Sequence, residues 1–157
     1  MKIYKMREIA VITDTSCLIA LTKTGALDLL RLMYREIVVT DEIRDEFGEP
    51  LPDWIEIRSV RDRNYQQLLE LTLDKGESSA IALALELENV LLIIDDLKAR
   101  KEAKRLGLSM TGTLGVLYAA KQKGLIPALK PYLDALQSVD FRVAPHILEE
   151  LLSLSGE

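Results

Sequence analysis

Short apolar runs alternate with longer amphipathic segments along this chain. The run 90–94 contains five apolar residues and no polar one, which predicts a strand buried on both faces, as in a parallel sheet covered by helices. The run 8–13 predicts a second buried strand of the same kind. Acidic residues follow both runs, Asp14 after 8–13 and the pair Asp95 and Asp96 after 90–94. Since both strands are expected in one parallel sheet, these carboxylates are expected at the same edge of it.

The rest of the pattern predicts a regular succession of strands and helices. Further strands are expected at 36–40, 54–60 and 109–111, with an edge strand at 141–143. Helices are expected at 17–21, 26–34, 42–47, 62–73, 80–88, 97–106, 114–123, 127–138 and 145–152. The turn-rich segment 48–53 is expected to be a loop inside one fold. This succession predicts an α/β fold, a three-layer α/β/α sandwich with a central and mostly parallel sheet.

The length and composition indicate one globular domain that spans residues 1–157. Hydrophobic residues make up 48% of the chain and charged residues 29%, a balance that excludes a disordered protein. Every apolar run is too short to cross a bilayer, and the first eight residues carry no signal-peptide pattern. We therefore expect a cytoplasmic protein without a membrane partner.

The numbers of cysteine and histidine residues limit the kinds of reactive site that the chain can form. Cys17 and His146 are the only cysteine and the only histidine, which excludes an internal disulfide, a cysteine zinc site and a paired-histidine metal site. Carboxylates remain as the reactive groups. The net charge of −5 gives no overall basic field that would attract a nucleic acid, so a polyanionic partner needs a local basic patch or a metal ion.

Five acidic residues from four separate segments are candidates for a shared site: Asp14, Glu46, Glu77, Asp95 and Asp96. Carboxylates crowded in a partly dry cleft repel one another, and a divalent cation relieves that repulsion. Mg²⁺ and Mn²⁺ prefer oxygen ligands and complete their coordination with water and phosphate, so the pattern predicts hydrolysis of a nucleic-acid backbone. The structural alternative is that Asp95 or Asp96 caps the following helix and that Glu77 only complements a helix dipole.

Hydroxyl and basic residues near the same edge are secondary candidates. Thr15, Ser16 and Thr113 are placed to orient water or metal-bound groups, although capping a helix is the alternative role of each. The helix predicted at 97–106 has a basic outer face, which would contact phosphates in a substrate. Its candidate phosphate ligands are Lys98, Arg100 and Lys101. The alternative for this helix is an ordinary solvated face.

Five blocks of sequence together match a pattern known from one protein family. They are Val11-Ile12-Thr13-Asp14-Thr15-Ser16, Val39-Thr40 with Glu46-Phe47, Gly76-Glu77 with 80–84, Ile94-Asp95-Asp96 with Ala99-Arg100, and 111–117 (Thr-Gly-Thr-Leu-Gly-Val-Leu). On these blocks the chain resembles PIN-domain proteins, most closely the short prokaryotic ones that are similar to toxin ribonucleases of VapBC-type toxin-antitoxin pairs. The resemblance covers residues 9–152.

The resemblance implies an activity, a cofactor and partners. In that family the acids bind Mg²⁺ or Mn²⁺ and cut single-stranded RNA as endoribonucleases, often as homodimers held inactive by a small antitoxin protein. By resemblance, Asp14, Glu46, Glu77 and Asp96 would be the catalytic acids. The metal ligands would be Asp14, Glu77 and Asp96, with Asp95 beside them as a further ligand.

Two departures from the family pattern keep an alternative function open. Glu77 stands where an aspartate is common, and 111–113 replaces a segment that commonly contains asparagine. The alternative is a catalytically weak PIN-like module that regulates by binding RNA or protein. Other enzyme classes fit less well, because a dehalogenase-like phosphatase needs a second aspartate where Ser16 stands and a serine hydrolase needs a Gly-x-Ser-x-Gly turn.

Overall fold

The computed structural model describes residues 9–157, in which nine helices surround one sheet of five strands. The strands are β1 (Ala10–Thr13), β2 (Glu36–Thr40), β3 (Ile55–Arg58), β4 (Val90–Ile93) and β5 (Ser109–Thr111). The helices are α1 (Thr15–Lys23), α2 (Asp28–Met33), α3 (Asp41–Phe47), α4 (Arg63–Leu69), α5 (Lys75–Glu86), α6 (Leu97–Arg105), α7 (Thr113–Gln122), α8 (Lys130–Ser138) and α9 (Pro145–Leu154). No helix within residues 9–157 has both the length and the apolar character of a membrane span.

The five strands form one sheet in the order β3-β2-β1-β4-β5, and every pair of neighbours is parallel. The central strand β1 therefore has β2 on one side and β4 on the other. The register aligns Thr13 of β1 with Ile93 of β4, so these two strands end side by side. The predicted sheet is confirmed, and it is wholly parallel over the described residues.

Helices cover both faces of the sheet. The helix α5 packs on β1, β2 and β4, while α2 packs on β2 and against α7. Right-handed crossovers place these groups on opposite faces, because the chain moves from β1 to β2 in one direction and returns from β3 to β4 in the other. The alanines on α5 are buried, which allows that helix to lie close to the sheet. This arrangement confirms the predicted three-layer α/β/α sandwich.

Most predicted elements appear with shifted ends. The strands predicted at 36–40 and 109–111 match β2 and β5 at both ends, whereas the strand predicted at 54–60 is reduced to Ile55–Arg58. The strand predicted at 8–13 is observed from Ala10, and its first residue, Glu8, lies outside the described residues. Strand β4 is buried only in its second half, because Val90 and Leu91 are half-buried.

Two predictions about the second half of the chain are wrong. Residues 141–143 form no strand, because no edge of the sheet pairs with them. The helix predicted from 127 begins at Lys130 instead. Helix α5, predicted at 80–88 with 74–79 opening it, is observed at Lys75–Glu86, because Asp74 and Glu77 cap its first turn reciprocally. Glu77 lies in that first turn, as expected, and the cap fixes its position at the site.

Candidate active site

The carboxyl ends of β1 and β4 meet at one edge of the sheet. The backbone N–H of Asp14 donates to the carbonyl oxygen of Ile93 at 2.9 Å, so Asp14 leaves β1 beside the point where Asp95 and Asp96 leave β4. The connections after these two strands run to opposite sides of the sheet, which opens a crevice between them. The convergence predicted for these strand-end acids is therefore present in the structure.

Asp14 is a buried carboxylate in an acidic environment. It is only 4% exposed, and the Ser16 hydroxyl donates to its Oδ2 at a long 3.4 Å. Burial raises the pKa of Asp14 to about 7, and the charges of Asp74 and Glu46 act in the same direction. The surroundings of Asp14 thus disfavour its charged form, which a nearby cation would favour.

Glu77 lies close to both strand-end acids from the first turn of α5. Its backbone N–H donates to Asp74 Oδ1 at 2.8 Å, and its own Oε1 accepts from the Asp74 N–H at 3.3 Å. Burial raises the pKa of Glu77 to about 7, with further increases from the charges of Asp74, Asp14 and Asp96. Glu77 therefore links the acid after β1 electrostatically with the acid after β4.

Glu46 reaches the same region from α3. The Thr15 hydroxyl donates to Glu46 Oε1 at 3.2 Å, and partial burial raises the pKa of this carboxyl. A Cβ atom on Gly76 would collide with the Glu46 carboxylate, so only glycine at this position lets Glu46 lie against the start of α5. A cavity of about 280 Å³ adjoins Glu46 and is also lined by Lys75. The sheet edge that carries Asp14, Glu77, Asp95 and Asp96 is called the acidic edge below. Glu46 lies between this acidic edge and the cavity.

The adjacent acids Asp95 and Asp96 have different surroundings. Asp96 is exposed and caps α6, where one of its oxygens accepts from the Ala99 N–H at 2.9 Å. Asp95 instead accepts from the Thr113 backbone at 2.9 Å, from the Thr113 hydroxyl at 2.6 Å and from Cys17 Sγ at 3.1 Å. Burial raises the pKa of the Cys17 thiol, which keeps it a protonated donor. Of the pair, Asp96 is the one open to a ligand.

The hydroxyl residues predicted to orient water or metal differ in position. Thr15 donates to Glu46, and Ser16 is exposed beside Asp14. Thr113 departs from its predicted role, because it is fully buried and its hydroxyl is used by Asp95. Asp95 is less open to a metal ion than Asp96, since its Oδ2 accepts from the Thr113 hydroxyl and from Cys17 while its Oδ1 accepts from the Thr113 N–H.

The basic residues predicted to contact phosphates also divide into two kinds. Lys98 and Lys101 are exposed on α6, the helix that Asp96 caps. The Arg100 guanidinium is half-buried, and its Nη1 donates to the carbonyl oxygen of Ile94 at 2.8 Å. Lys98 and Lys101 are therefore available to a polyanion beside the acidic edge, whereas Arg100 stabilises the end of β4.

The donor chemistry of the acidic edge fits a hard divalent cation. Its candidate ligands are carboxylate oxygens, the type that Mg²⁺ and Mn²⁺ prefer. The strongest charges acting on Asp14 are those of other carboxylates, whose repulsion a cation would relieve. Within residues 9–157, however, no three Asp, Glu, His or Cys side chains converge closely enough to enclose an ion. The carboxylate side chains are of the chemical type that suits a divalent cation. Rotation of the longer ones, the glutamates, would have to complete its coordination.

Asp74 is a member of the acidic edge that the sequence analysis missed. Its charge raises the pKa of Asp14, Glu46 and Glu77. The available signal was the spacing Asp-x-x-Glu before an apolar helical segment, the pattern of a capping box. Because helix capping alone explains this spacing, the sequence gives no separate sign that the charge of Asp74 acts on the site.

Comparison with known proteins shows the family to which the chain belongs. The model of the DUF3368 family, described as a PIN domain, matches residues 10–157. No curated protein matches the chain. PIN domains are typically nucleases and generally use divalent metal ions, so the acidic edge lies on a nuclease fold. The match covers nearly the whole chain, and the protein belongs to the PIN-domain family.

Proposed function

We propose that this protein is an endoribonuclease that hydrolyses phosphodiester bonds of single-stranded RNA with the aid of Mg²⁺ or Mn²⁺. The observation that supports this most is that Asp14 and Asp96 follow neighbouring parallel strands at one edge of the sheet, and that the charges of both help to raise the pKa of Glu77. Three acids from three segments would be costly neighbours in a fold that made no use of their combined charge. The PIN-domain family match supports the coarser class of activity, that of a nuclease.

Asp14, Glu77 and Asp96 are the proposed metal ligands. A bound divalent ion would supply an activated water and would stabilise the leaving oxygen. Glu46 is the fourth catalytic acid, and the Thr15 hydroxyl holds its carboxylate against Gly76. Because Glu46 also lines open space, it is placed to face the substrate. Ser16 is proposed to orient a water beside Asp14.

Lys98 and Lys101 are proposed to bind the RNA backbone. Both are exposed on α6, which begins directly after Asp96 and projects from the acidic edge. An RNA strand held by these lysines would pass the acids, while the overall charge of −5 disfavours binding elsewhere. Arg100 would contribute indirectly, by fixing the end of β4 through Ile94.

The proposed biological role is that of the toxin of a toxin-antitoxin pair, similar to the VapC-like branch of the family. In this role the protein forms a homodimer, and a small antitoxin protein inhibits it. The sequence blocks that support this branch include Val11-Ile12-Thr13-Asp14-Thr15-Ser16 and Ile94-Asp95-Asp96 with Ala99-Arg100. A pull-down of the protein with the product of a neighbouring small reading frame tests the partner, and gel filtration with light scattering tests the dimer.

A second candidate function is a regulatory module that binds RNA or protein with little catalysis. One observation favours it: the acids of residues 9–157 are not assembled into a closed metal-binding group. If this alternative holds, millimolar Mn²⁺ will leave the melting temperature unchanged and the protein will bind RNA without cutting it.

Cleavage of labelled single-stranded RNA by the purified full chain tests the enzymatic proposal. Activity is expected with Mn²⁺, and chelation by EDTA is expected to abolish it. Asp14→Asn and Asp96→Asn should each lower the rate by at least about a thousandfold, equivalent to roughly 4 kcal/mol of activation free energy. The control Asp134→Asn changes an exposed acid paired with Lys130 and should leave the rate unchanged. Equal rates for all four proteins would identify a contaminating nuclease and contradict the proposal.

A further inference from the structure

The carboxylate of Asp95 joins three elements at the acidic edge. It follows β4, and it accepts a hydrogen bond from Cys17 on α1 and two from Thr113 at the start of α7. Helix α1 begins one residue after Asp14, and α6 begins one residue after Asp96. Asp95 therefore connects the segments that carry the two strand-end acids.

The surroundings of Asp95 are shaped to hold its carboxylate in one position. A Cβ atom on Gly112 would collide with Asp95 Oδ1, so the backbone approaches the carboxylate as closely as glycine permits. The same Cβ would lie 3.3 Å from Nη1 of Arg100, the atom that also binds the Ile94 carbonyl oxygen. Hydrogen bonds to a charged acceptor are stronger than neutral ones. The three hydrogen-bond donations and the close approach of Gly112 together hold the Asp95 side chain in place.

This geometry separates Asp95 from the acids that remain open. A metal ion at Asp95 Oδ2 would have to displace the Thr113 hydroxyl or the Cys17 thiol, and it would leave the buried Thr113 hydroxyl without its acceptor. The other oxygen, Oδ1, accepts from the Thr113 N–H and has Gly112 packed closely against it. Asp96, one residue later, has an exposed side chain and uses one oxygen for the α6 cap. The two neighbouring carboxylates are thus suited to different tasks.

We propose that Asp95 is a positioning residue, whose hydrogen bonds to Thr113 and Cys17 hold Asp14 and Asp96 in the relative placement needed to bind a divalent cation. This inference rests on the proposed function, because it concerns the same metal site. It assigns to Asp95 a role other than coordination, and it assigns to Thr113 and Cys17 a contribution to metal affinity although neither touches the metal.

Calorimetric titration of the metal-free full chain with MnCl₂ tests this inference without measuring cleavage. Thr113→Val removes the hydroxyl donor and keeps the side-chain shape, and we expect it to weaken Mn²⁺ binding about five- to tenfold. Cys17→Ala should weaken binding by a smaller factor, and Cys17→Ser should restore it because serine supplies a donor again. Asp95→Asn should retain affinity within about threefold, since its amide oxygen still accepts from the Thr113 N–H and its amide NH₂ donates to the Thr113 hydroxyl, which can also accept.

Comparison with the proposed ligands distinguishes the possible failures. Asp14→Asn and Asp96→Asn are expected to weaken Mn²⁺ binding at least a hundredfold, and if they do not, the proposed function fails. If they do, but Asp95→Asn weakens binding as strongly as Asp96→Asn, Asp95 is a ligand and the positioning role is wrong. If Thr113→Val and Cys17→Ala lower only the melting temperature, the network is merely structural and the inference is equally wrong.

Steady-state kinetics provide a second readout. A positioning defect should lower kcat for RNA cleavage and leave KM nearly unchanged, because Lys98 and Lys101 still bind the strand. Thr113→Val is the variant for this measurement, since it is nearly isosteric and leaves every acid in place. An increase in KM with an unchanged kcat would contradict the proposal.

Discussion

Glu42 and Asp14 are both buried carboxylates, but the fold treats them differently. Glu42 forms an ion pair with Arg63 at 3.1 Å and accepts a hydrogen bond from Gln66. For Asp14, none of the ion pairs among the described residues 9–157 provides a cation, and Ser16 is a distant donor. Among residues 9–157 the structure thus pairs Glu42 with a basic side chain and gives Asp14 no ion pair. Under the proposed function, a bound cation would balance the charge of Asp14.

The largest expected effect is a pH dependence of stability that originates at the acidic edge. The pKa values of Asp14 and Glu77 are raised to about 7 in the folded protein, above their unfolded values near 4. Between these values the native state holds more protons than the unfolded state, so stability is greatest at low pH and falls as pH rises to about 7. For Asp14 the loss between pH 5 and pH 8 should be about 2–3 kcal/mol.

Urea unfolding in EDTA across that pH range measures this effect. Asp14→Asn should flatten the pH profile and stabilise the metal-free protein near pH 8. Asp134→Asn is the matched control and should keep the wild-type profile. A wild-type stability that rises steadily from pH 5 to pH 8 would contradict the comparison with Glu42.

A cation is expected to stabilise the acidic edge by a similar amount. Binding to the native state alone stabilises it by about 2.7 kcal/mol when the free ion concentration is a hundred times Kd. Mn²⁺ should therefore raise the melting temperature by several degrees, and Asp14→Asn should abolish the rise. Differential scanning fluorimetry with and without Mn²⁺ measures this rise in melting temperature. Arg63→Met should show the same rise as wild type, because Arg63 pairs with Glu42 and not with the proposed metal ligands.

Removal of the basic partner of Glu42 should have an effect of about 1–2 kcal/mol. Arg63→Met leaves the buried Glu42 with Gln66 alone, and an uncompensated buried charge destabilises the fold. Arg63 is half exposed, so solvent reduces the cost. Chemical denaturation measures the change. Arg44→Met is the control, because Arg44 pairs with the exposed Asp45 and the partly exposed Asp41 and its loss should cost less than about 0.5 kcal/mol.

The smallest expected effect concerns the lysines of α6. Lys98→Ala and Lys101→Ala should each weaken RNA binding only a few-fold, since each removes one exposed phosphate contact. Filter binding at two salt concentrations measures this, and the salt dependence should become shallower in each variant. Lys130→Ala, on α8, is the control and should leave both quantities unchanged. A loss equal to that of Asp96→Asn would assign these lysines to catalysis.

The sequence predicted those parts of the site that depend on strand ends. Asp14 and Asp96 could be placed because apolar runs locate β1 and β4, and parallel strands bring their ends together. The role of Asp95 could not be predicted, because its partner Thr113 lies 18 residues later and its orientation depends on the turn between β5 and α7. The edge strand expected at 141–143 failed for a related reason: alternating apolar residues do not show whether a neighbouring strand is available to pair.

The reciprocal cap at the start of α5 gives the acidic edge a mechanical consequence. Glu77 Oε1 accepts from the Asp74 N–H, so an ion that draws this oxygen toward itself deprives the helix of that hydrogen bond. Binding of the cation and fraying of the first turn of α5 would then occur together. Amide hydrogen exchange at Asp74 would speed up as Mn²⁺ is added, while the rest of the helix stays protected.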